Sequence, residues 1–400
     1  MKILQVNCIY KRGSTGKIMY DIHNGLLSNG DDSIVCYGSG ASTKEKNVYK
    51  FSKKAFVKAN ALLSRITGVM YGGCLIPTKR LISIIKKEKP DIVHLHCINS
   101  HSVNVFKLVS FLKKSGIKTV LTLHAEFMHT GNCGHAFECE KWKTGCGNCP
   151  KNKSVTGSWF FDNTHKSWMK MKKAFEGFEN LTVTSVSPWL MQRAMQSPIL
   201  ADKHHTVVLN GLDTGVFNRK STEGLKEKLG IKDEKIIFHA TPRFNNNQGD
   251  LKGGYYILKL AEKLKGQNVK IVVAGSYDES IEIPENMIML GGVSNQEELA
   301  KYYSLADLTV IASKRETFSM VVAESMCCGT PIVGFYAGGP EQIAIKDYSS
   351  FVEYGNVDAL YDEAIKMLDG EFDKDKISKE GMDVYSKERM LQGFLDVYNK

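Results

Sequence analysis

Between Ser313 and Phe335 the chain reads "SKRETFSMVVAESMCCGTPIVGF". The apolar run Leu308–Ser313 leads into it and Pro331–Phe335 closes it. Neither run alternates apolar with polar residues, as expected of parallel strands covered on both faces. Ser319–Cys328 fits a helix between them, and Gly329-Thr330-Pro331 turns the chain into the second strand. The stretch therefore reads as one β-α-β unit. Glu316 falls in the loop after the first strand and Glu324 inside the helix, with seven residues between them. Ser319 or Thr317 can cap that helix. The free N–H groups of its first turn, Phe318 to Val321, form an anion site. A carboxylate beside such a site would repel a bare phosphate, so it calls for another partner. Two carboxylates can each accept the hydroxyl protons of a vicinal diol, which sugars and ribose supply. An isolated pair at this spacing is equally a pair of solvated helix charges; the ordered flanks give it weight.

The same alternation runs from end to end. Lys2–Cys8, Ser33–Tyr37, Asp91–Cys97, Lys118–His124 and Leu181–Ser187 read as strands, with helical patterns between them such as Gly16–Ser28, Thr78–Lys87 and Val103–Lys114. The pattern then restarts with His205–Leu209, Lys235–Thr241, Val269–Gly275, Met287–Leu290 and the two strands already described. Right-handed crossovers make each set a doubly wound sheet. We expect an α/β protein of two Rossmann-like domains, 1–203 and 204–378, joined near Ser197–Lys203. A terminal helix, 379–400, would pack back on the first domain. Ligands of such sheets bind beyond the carboxyl ends of the strands, and with two domains the cleft between them is the natural site.

A chain of 400 residues, 42% hydrophobic and 24% charged, has an ordinary globular composition. Its net charge of +10 suits an anionic partner. The first residues lack the apolar core of a signal peptide, and no run is long enough to span a bilayer, so the expected place is the cytoplasm. Lys50–Arg65 mixes lysines with apolar residues at helical spacing. Such a helix can lie on an anionic membrane at the inner face of the cell membrane, or simply cover the first domain with a wet lysine face.

Four further stretches carry candidate chemistry. "NCIYKRGSTGKIMYDI" follows the first strand, and its Gly13 and Gly16 allow close backbone approach at a helix start. It is not a P-loop: Lys11 stands where the first glycine is required and Ile18 where Ser or Thr must hold Mg²⁺. "KTVLTLHAEF" puts His124 at the end of a strand, a position that a structural histidine also occupies. "HATPRFNNNQGDLKGGYYILKLAEKLK" sets Arg243 and Lys252 on either side of a polar loop. "TGNCGHAFECEKWKTGCGNCP" holds Cys133, Cys139, Cys146 and Cys149. Four thiolates there can bind a structural zinc, the last two forming a usual half-site, or remain free or redox-paired thiols.

Taken with its flanks, "ETFSMVVAESMCCGTPIVG" resembles the E-x7-E segment of retaining glycosyltransferases of family four and the GT-B fold. "GSTG", the strand-ending His124, "VVLNGLDTGVF" with Asn210, and "LGGVSNQEELAKYYSLADLTV" match that family as well, and the resemblance covers nearly the whole chain. "GCGNCP" and "EKWKTG" are similar to the members that build bacterial surface polysaccharide: colanic-acid-like polymers, capsule or O-antigen. The resemblance implies two Rossmann-like domains with parallel sheets facing across a cleft, and a Cys-rich insertion, 125–163, on the acceptor side. It implies a nucleotide diphosphate sugar as donor, a UDP-sugar favoured over a GDP-sugar, and an oligosaccharide or lipid-linked acceptor. Glu316 would hold the sugar and Glu324 the ribose. The amides of Phe318, Ser319 and Met320 would take the phosphate, Arg243 and Lys252 the departing diphosphate. His124 would stand beside the reacting carbon, Gly13 and Gly16 against the donor phosphates, and Asn210 along the cleft. No catalytic metal is expected, because Arg243 and Lys252 can replace its charge; the single Asp-x-Asp triplet, Asp373-Lys374-Asp375, lies in a lysine-rich surface stretch. A nucleotide-sugar epimerase of the same fold is the rival enzyme. A non-catalytic sugar- or nucleic-acid-binding protein is the rival of another class, although no aromatic-basic platform favours nucleic acid.

Overall fold

The computed structural model describes residues 1–400. Two sheets organise the chain, and all their strand pairs are parallel. The first contains β1 (Lys2–Asn7), β2 (Asp32–Tyr37), β3 (Val48–Lys50), β4 (Ile92–Leu95), β5 (Lys118–Leu123), β6 (Leu181–Ser185) and β7 (His204–Val207), in the order β3-β2-β1-β4-β5-β6-β7. The second contains β8 (Lys235–Phe244), β9 (Val269–Tyr277), β10 (Met287–Gly291), β11 (Leu308–Ile311), β12 (Ile332–Phe335) and β13 (Ser349–Val352), in the order β10-β9-β8-β11-β12-β13. Each order reverses once, at β1/β4 and at β8/β11. These are the switch points where crossovers leave to opposite sides and open a crevice at the carboxyl ends.

The chain divides into two compact units, one of Met1–Leu209 with Met390–Lys400, the other Asn210–Arg389. That division corrects the expected boundary at 203/204. His205–Leu209 reads as the opening strand of the second set, but β7 pairs with β6 through Thr182↔His204 to Ser185↔Val207 and is the edge of the first sheet. The tail also differs from one terminal helix. The helix Lys374–Tyr385 belongs to the second unit and Ser386 ends it; the helix Lys387–Asn399 follows. From the latter, Met390, Phe394, Val397 and Tyr398 are buried against Ile3, Ile18, Ile92 and Val120 in the core of the first unit. At about 25 cal/mol per Å² of apolar surface, four such side chains contribute several kcal/mol to holding the last turns in place.

In the second unit the core gathers Ile237, Ile257, Leu260, Ile271, Val273, Leu308, Val310 and Val333 from the sheet and its covering helices. These continuous Ile/Val/Leu runs are what bury each strand on both faces.

Candidate active site

The second unit builds its site at the β8/β11 switch point. After β11 the chain passes Ser313 and reaches Glu316, whose N–H donates to the Ala337 carbonyl at 3.0 Å and whose carbonyl accepts from Gly339 N–H at 2.9 Å. Glu316 is thus strapped to the loop that follows β12. A Cβ on Gly339 would lie 2.8 Å from the Phe318 nitrogen and 2.6 Å from the Thr317 carbonyl carbon, so only glycine admits this approach. Lys252, from the loop after β8, donates to Glu316 Oε1 at 2.7 Å, and Ser313 Oγ donates to the same oxygen at 2.8 Å. Gly253 follows Lys252 with φ +74°, and a Cβ there would stand 2.0 Å from the Ala312 carbonyl oxygen. The loops after β8 and β11 are also joined by Lys314 N–H donating to the Leu251 carbonyl at 2.9 Å. Backbone packing therefore places a lysine and a carboxylate 64 positions apart in sequence on one spot.

The helix Met320–Cys327 starts beside Glu316. Ser319 occupies its N-cap position but does not cap it: φ is +106° and the side chain makes no cap bond. The expected cap gives way to strain. A non-glycine residue at such φ costs on the order of 1–3 kcal/mol and persists only where its surroundings enforce it. Here Gly339 lies directly against the Thr317–Phe318 peptide, two residues before. The buried Ser319 Oγ has no hydrogen-bond partner. The amides of Phe318, Ser319 and Met320 remain at the helix start, where the aligned peptide dipoles favour an anion. One and a half turns on, half-buried Glu324 accepts the hydroxyl of Tyr303 at 2.9 Å. Burial, and then the Glu324 charge, push that phenol well above its ordinary pKa, so it stays a donor. Ser325 Oγ donates to Thr309 Oγ1 at 2.7 Å, fixing the helix on β11.

Arg243 and Asn210 do not join this group by direct contact. Arg243 lies on β8 itself, beyond an irregularity between Ala240 and Arg243, paired with Ser276 of β9. It is exposed, and its charge helps to hold Asp278, already bonded by Ser280, below the usual carboxylate range. Asn210 is buried at the first position of the second unit. His239, which the sequence reading passed over, lies buried on β8 with Nδ1 3.1 Å from the Val310 carbonyl and Nε2 without a partner. Burial pushes it down to about 4. The triplet Asp373-Lys374-Asp375 is a helix start: Asp373 caps Asp375 N–H and Lys376 N–H at 3.0 Å each.

In the first unit His124 follows β5 directly. Its Nε2 is 3.3 Å from His96 Nδ1, and His96 Nε2 is 3.2 Å from Gln5 Oε1. His94 lies beneath, its ring 3.9 Å from that of His96, bonded to Tyr398 OH and Thr122 Oγ1 at 2.6 Å each. β1, β4 and β5 thus deliver one polar file across the switch point. The signal for His96 was present in "HLHC", where alternate residues of a strand share a face. Burial drives His124 to about 4, His94 to about 3 and His96 well below its ordinary value. All three are neutral at pH 7. Gly13, with φ +63°, opens the helix Gly13–Ser28, and Gly16 sits close under the Ile9–Lys11 loop, a Cβ there meeting Ile9 at 3.2 Å.

A pH dependence follows. These imidazoles have folded pKa values below the ordinary 6.5, so between about pH 6.5 and pH 4 the unfolded chain binds protons that the folded chain refuses. Stability falls as pH drops through that window. At pH 5, fully buried His94 alone should cost on the order of 1–2 kcal/mol. Urea titrations at pH 7.5 and pH 5 check this. Trp142, Trp159, Trp168 and Trp189 all lie in the first unit, so their fluorescence reports it.

Cys133, Cys139, Cys146 and Cys149 are free and half-buried. Burial raises Cys133 to about 12, and the other three thiols add to that rise, so the four share one neighbourhood. As placed, no group of three or more His, Cys, Asp or Glu is arranged to hold a metal ion. Other contacts anchor the segment. Buried Glu126 accepts from Ala136 N–H at 2.8 Å and pairs with Arg193, and Trp142 and Trp168 donate to the Cys139 and Trp142 carbonyls at 2.7 and 2.9 Å.

Two family models match the chain, Glycosyltransferase Family 4 over residues 15–216 and Glycosyl transferases group 1 over residues 221–384. The putative colanic acid biosynthesis glycosyl transferase WcaC of Escherichia coli K12 is 22% identical over 365 residues, covering 86% of each chain. Among solved structures, sucrose-phosphate synthase from Thermosynechococcus elongatus superposes with TM-score 0.67 at 13% identity, covering 100% of this chain and 98% of that one. Anabaena HepE in complex with UDP-glucose gives TM-score 0.64 at 14% identity, covering 100% and 99%. At such identities the structures speak for the fold alone, and the fold is GT-B. The chain belongs to glycosyltransferase family 4.

Proposed function

We propose that the chain is a retaining transferase that moves a sugar from a nucleotide diphosphate sugar to a glycan, carried on a lipid, in the assembly of a bacterial surface polysaccharide. The observation that carries the donor reading is Glu316, held by Lys252 and Ser313 at the start of the helix that also bears Glu324. A cation, an amide-rich helix start and two carboxylates meet the needs of diphosphate, sugar and ribose in turn. The amides of Phe318, Ser319 and Met320 take a phosphate. Lys252 and Arg243 oppose the charge that grows on the diphosphate as the glycosidic bond breaks. Glu316 accepts sugar hydroxyls and Glu324, oriented by Tyr303, accepts ribose hydroxyls. His124 is assigned to the sugar end of the donor, as a neutral group oriented by His96 and Gln5. UDP is favoured as the nucleotide; HepE, a structural relative, is seen with UDP-glucose. The surface-polysaccharide setting draws on the WcaC likeness.

Purified protein given a UDP-sugar and a lipid-linked oligosaccharide extract should form product with the donor's anomeric configuration, read by NMR. Inverted product, or none with any nucleotide sugar, would overturn the reading. Glu324→Ala should weaken binding of free UDP by about tenfold, the loss of one charge-assisted diol contact of about 1.5 kcal/mol. Calorimetric titration checks it, and unchanged affinity would remove Glu324 from the ribose site.

A further inference from the structure

The helix Lys54–Thr67 is inside out. Its buried residues are Asn60 and Ser64, both polar, while Leu62, Leu63 and Ile66 are exposed. Asn60 and Ser64 are held inward by hydrogen bonds to His101 and Ala61, but nothing in the fold covers the three aliphatic side chains. Beside them stands a second apolar group. Trp159 N–H donates to the Arg65 carbonyl at 2.8 Å, Asn163 Nδ2 donates to the Thr67 carbonyl at 2.6 Å, and the Arg65 guanidinium covers the Trp159 ring at 5.9 Å. The Trp159-Phe160-Phe161 turn is thereby fastened to the end of the helix with all three rings exposed, Phe160 at 70%. The chain after the helix leads to Ile76, exposed at 63%.

The same unit is strongly basic around this ridge. The helices Lys54–Thr67, Leu75–Glu88, Val105–Ser115 and Thr164–Phe175 carry fourteen lysines and arginines and a single acidic residue, Glu88. A groove of about 540 Å³ between the last three is lined by Lys107, Lys113, Lys114, Lys170 and Lys173, with Phe106 at its wall and no carboxylate. No helix of the chain is long and apolar enough to cross a membrane.

We propose that this face seats the chain on an anionic phospholipid bilayer, the Leu62-Leu63-Ile66 and Trp159-Phe160-Phe161 ridge entering the interface and the lysine groove taking lipid phosphates. Large exposed apolar patches mark interaction sites. Aromatic rings with flanking Lys and Arg suit the boundary between headgroups and acyl chains. Charge complementarity selects the occupant: a second copy docking by the same face would set one basic surface against another, whereas an anionic leaflet neutralises it. The inference stands apart from the transfer reading, since none of these residues belongs to the donor site.

The test is flotation of the purified full chain with phosphatidylcholine vesicles, with and without phosphatidylglycerol. Binding should require phosphatidylglycerol and fall steeply at high salt. Phe160→Ser with Phe161→Ser, and separately Leu62→Ser with Leu63→Ser, should each reduce it roughly tenfold or more. Lys170→Glu with Lys173→Glu should do the same. These side chains are exposed, so melting temperature and hydrolysis of the donor without acceptor should not change. Three outcomes would overturn the proposal: no binding to either vesicle, equal binding to both, or a wild-type dimer that the Phe160/Phe161 variant converts to monomer in light scattering.

Discussion

Glu316→Ala is expected to lower sugar transfer by about 10²–10³-fold while leaving the affinity for free nucleoside diphosphate within about twofold of the original. The asymmetry follows from where the side chain sits. Its carboxylate is assigned to the sugar alone, whereas the ribose is assigned to Glu324 and the phosphates to the amides of Phe318, Ser319 and Met320 with Arg243 and Lys252. Its backbone bonds to Ala337 and Gly339 do not depend on the side chain, so the loop should keep its path. Glu316→Gln separates charge from shape. It preserves an acceptor for Ser313 and Lys252 but removes the charge that holds the lysine. If it loses nearly as much as the alanine variant, the charge matters; near-full activity in both would remove Glu316 from the site.

Lys252→Ala should cost on the order of 10²-fold in turnover, because a fixed cation beside the leaving diphosphate acts mostly where charge develops in the transition state. Two effects add. The variant loses the cation, and it leaves Glu316 held by Ser313 alone. Lys252→Arg should not restore full activity. The position is set by Gly253, which has no room for a Cβ, and a longer, planar guanidinium brings its donors in a fork rather than as the point charge that Lys252 sets on Glu316 Oε1. The split between kcat and KM is the measurement: loss mainly in kcat supports the assignment, whereas a rise in KM with kcat unchanged would make Lys252 a ground-state binding residue only.

Much of the second unit was legible because its strands are continuous apolar runs, each followed at once by its chemistry: Leu308–Ile311 then Glu316, and a helix start then Glu324. The partners were not legible in the same way. Lys252 meets Glu316 only because Gly253 lies against Ala312 and Lys314 bonds Leu251, facts of backbone packing rather than of local pattern. Ser319 shows the limit most sharply. Its residue type and place say N-cap, yet it stands at φ +106° with its hydroxyl unbonded. β7 was assigned to the wrong sheet because an apolar run does not state its neighbour. β3 has only three residues, and β13, reading Ser349-Ser350-Phe351-Val352, opens on two serines, so neither shows as an apolar run. In the cysteine segment, the hydrogen bonds of Trp142 and Trp168 and the pair Glu126–Arg193 are contacts that the cysteine spacing did not announce. The helix Lys54–Thr67 was foreseen as basic and amphipathic; that its apolar side would face outward needed the burial of Asn60 and Ser64.

The most direct measurement is a calorimetric comparison of UDP with a UDP-sugar, titrated into the original protein, Glu316→Ala and Glu324→Ala. The division of labour between the two carboxylates predicts that Glu324→Ala weakens both ligands. Glu316→Ala should weaken only the sugar-bearing one, erasing whatever affinity the sugar adds. Equal losses for both ligands in both variants, or no binding of either ligand to the original protein, would contradict it.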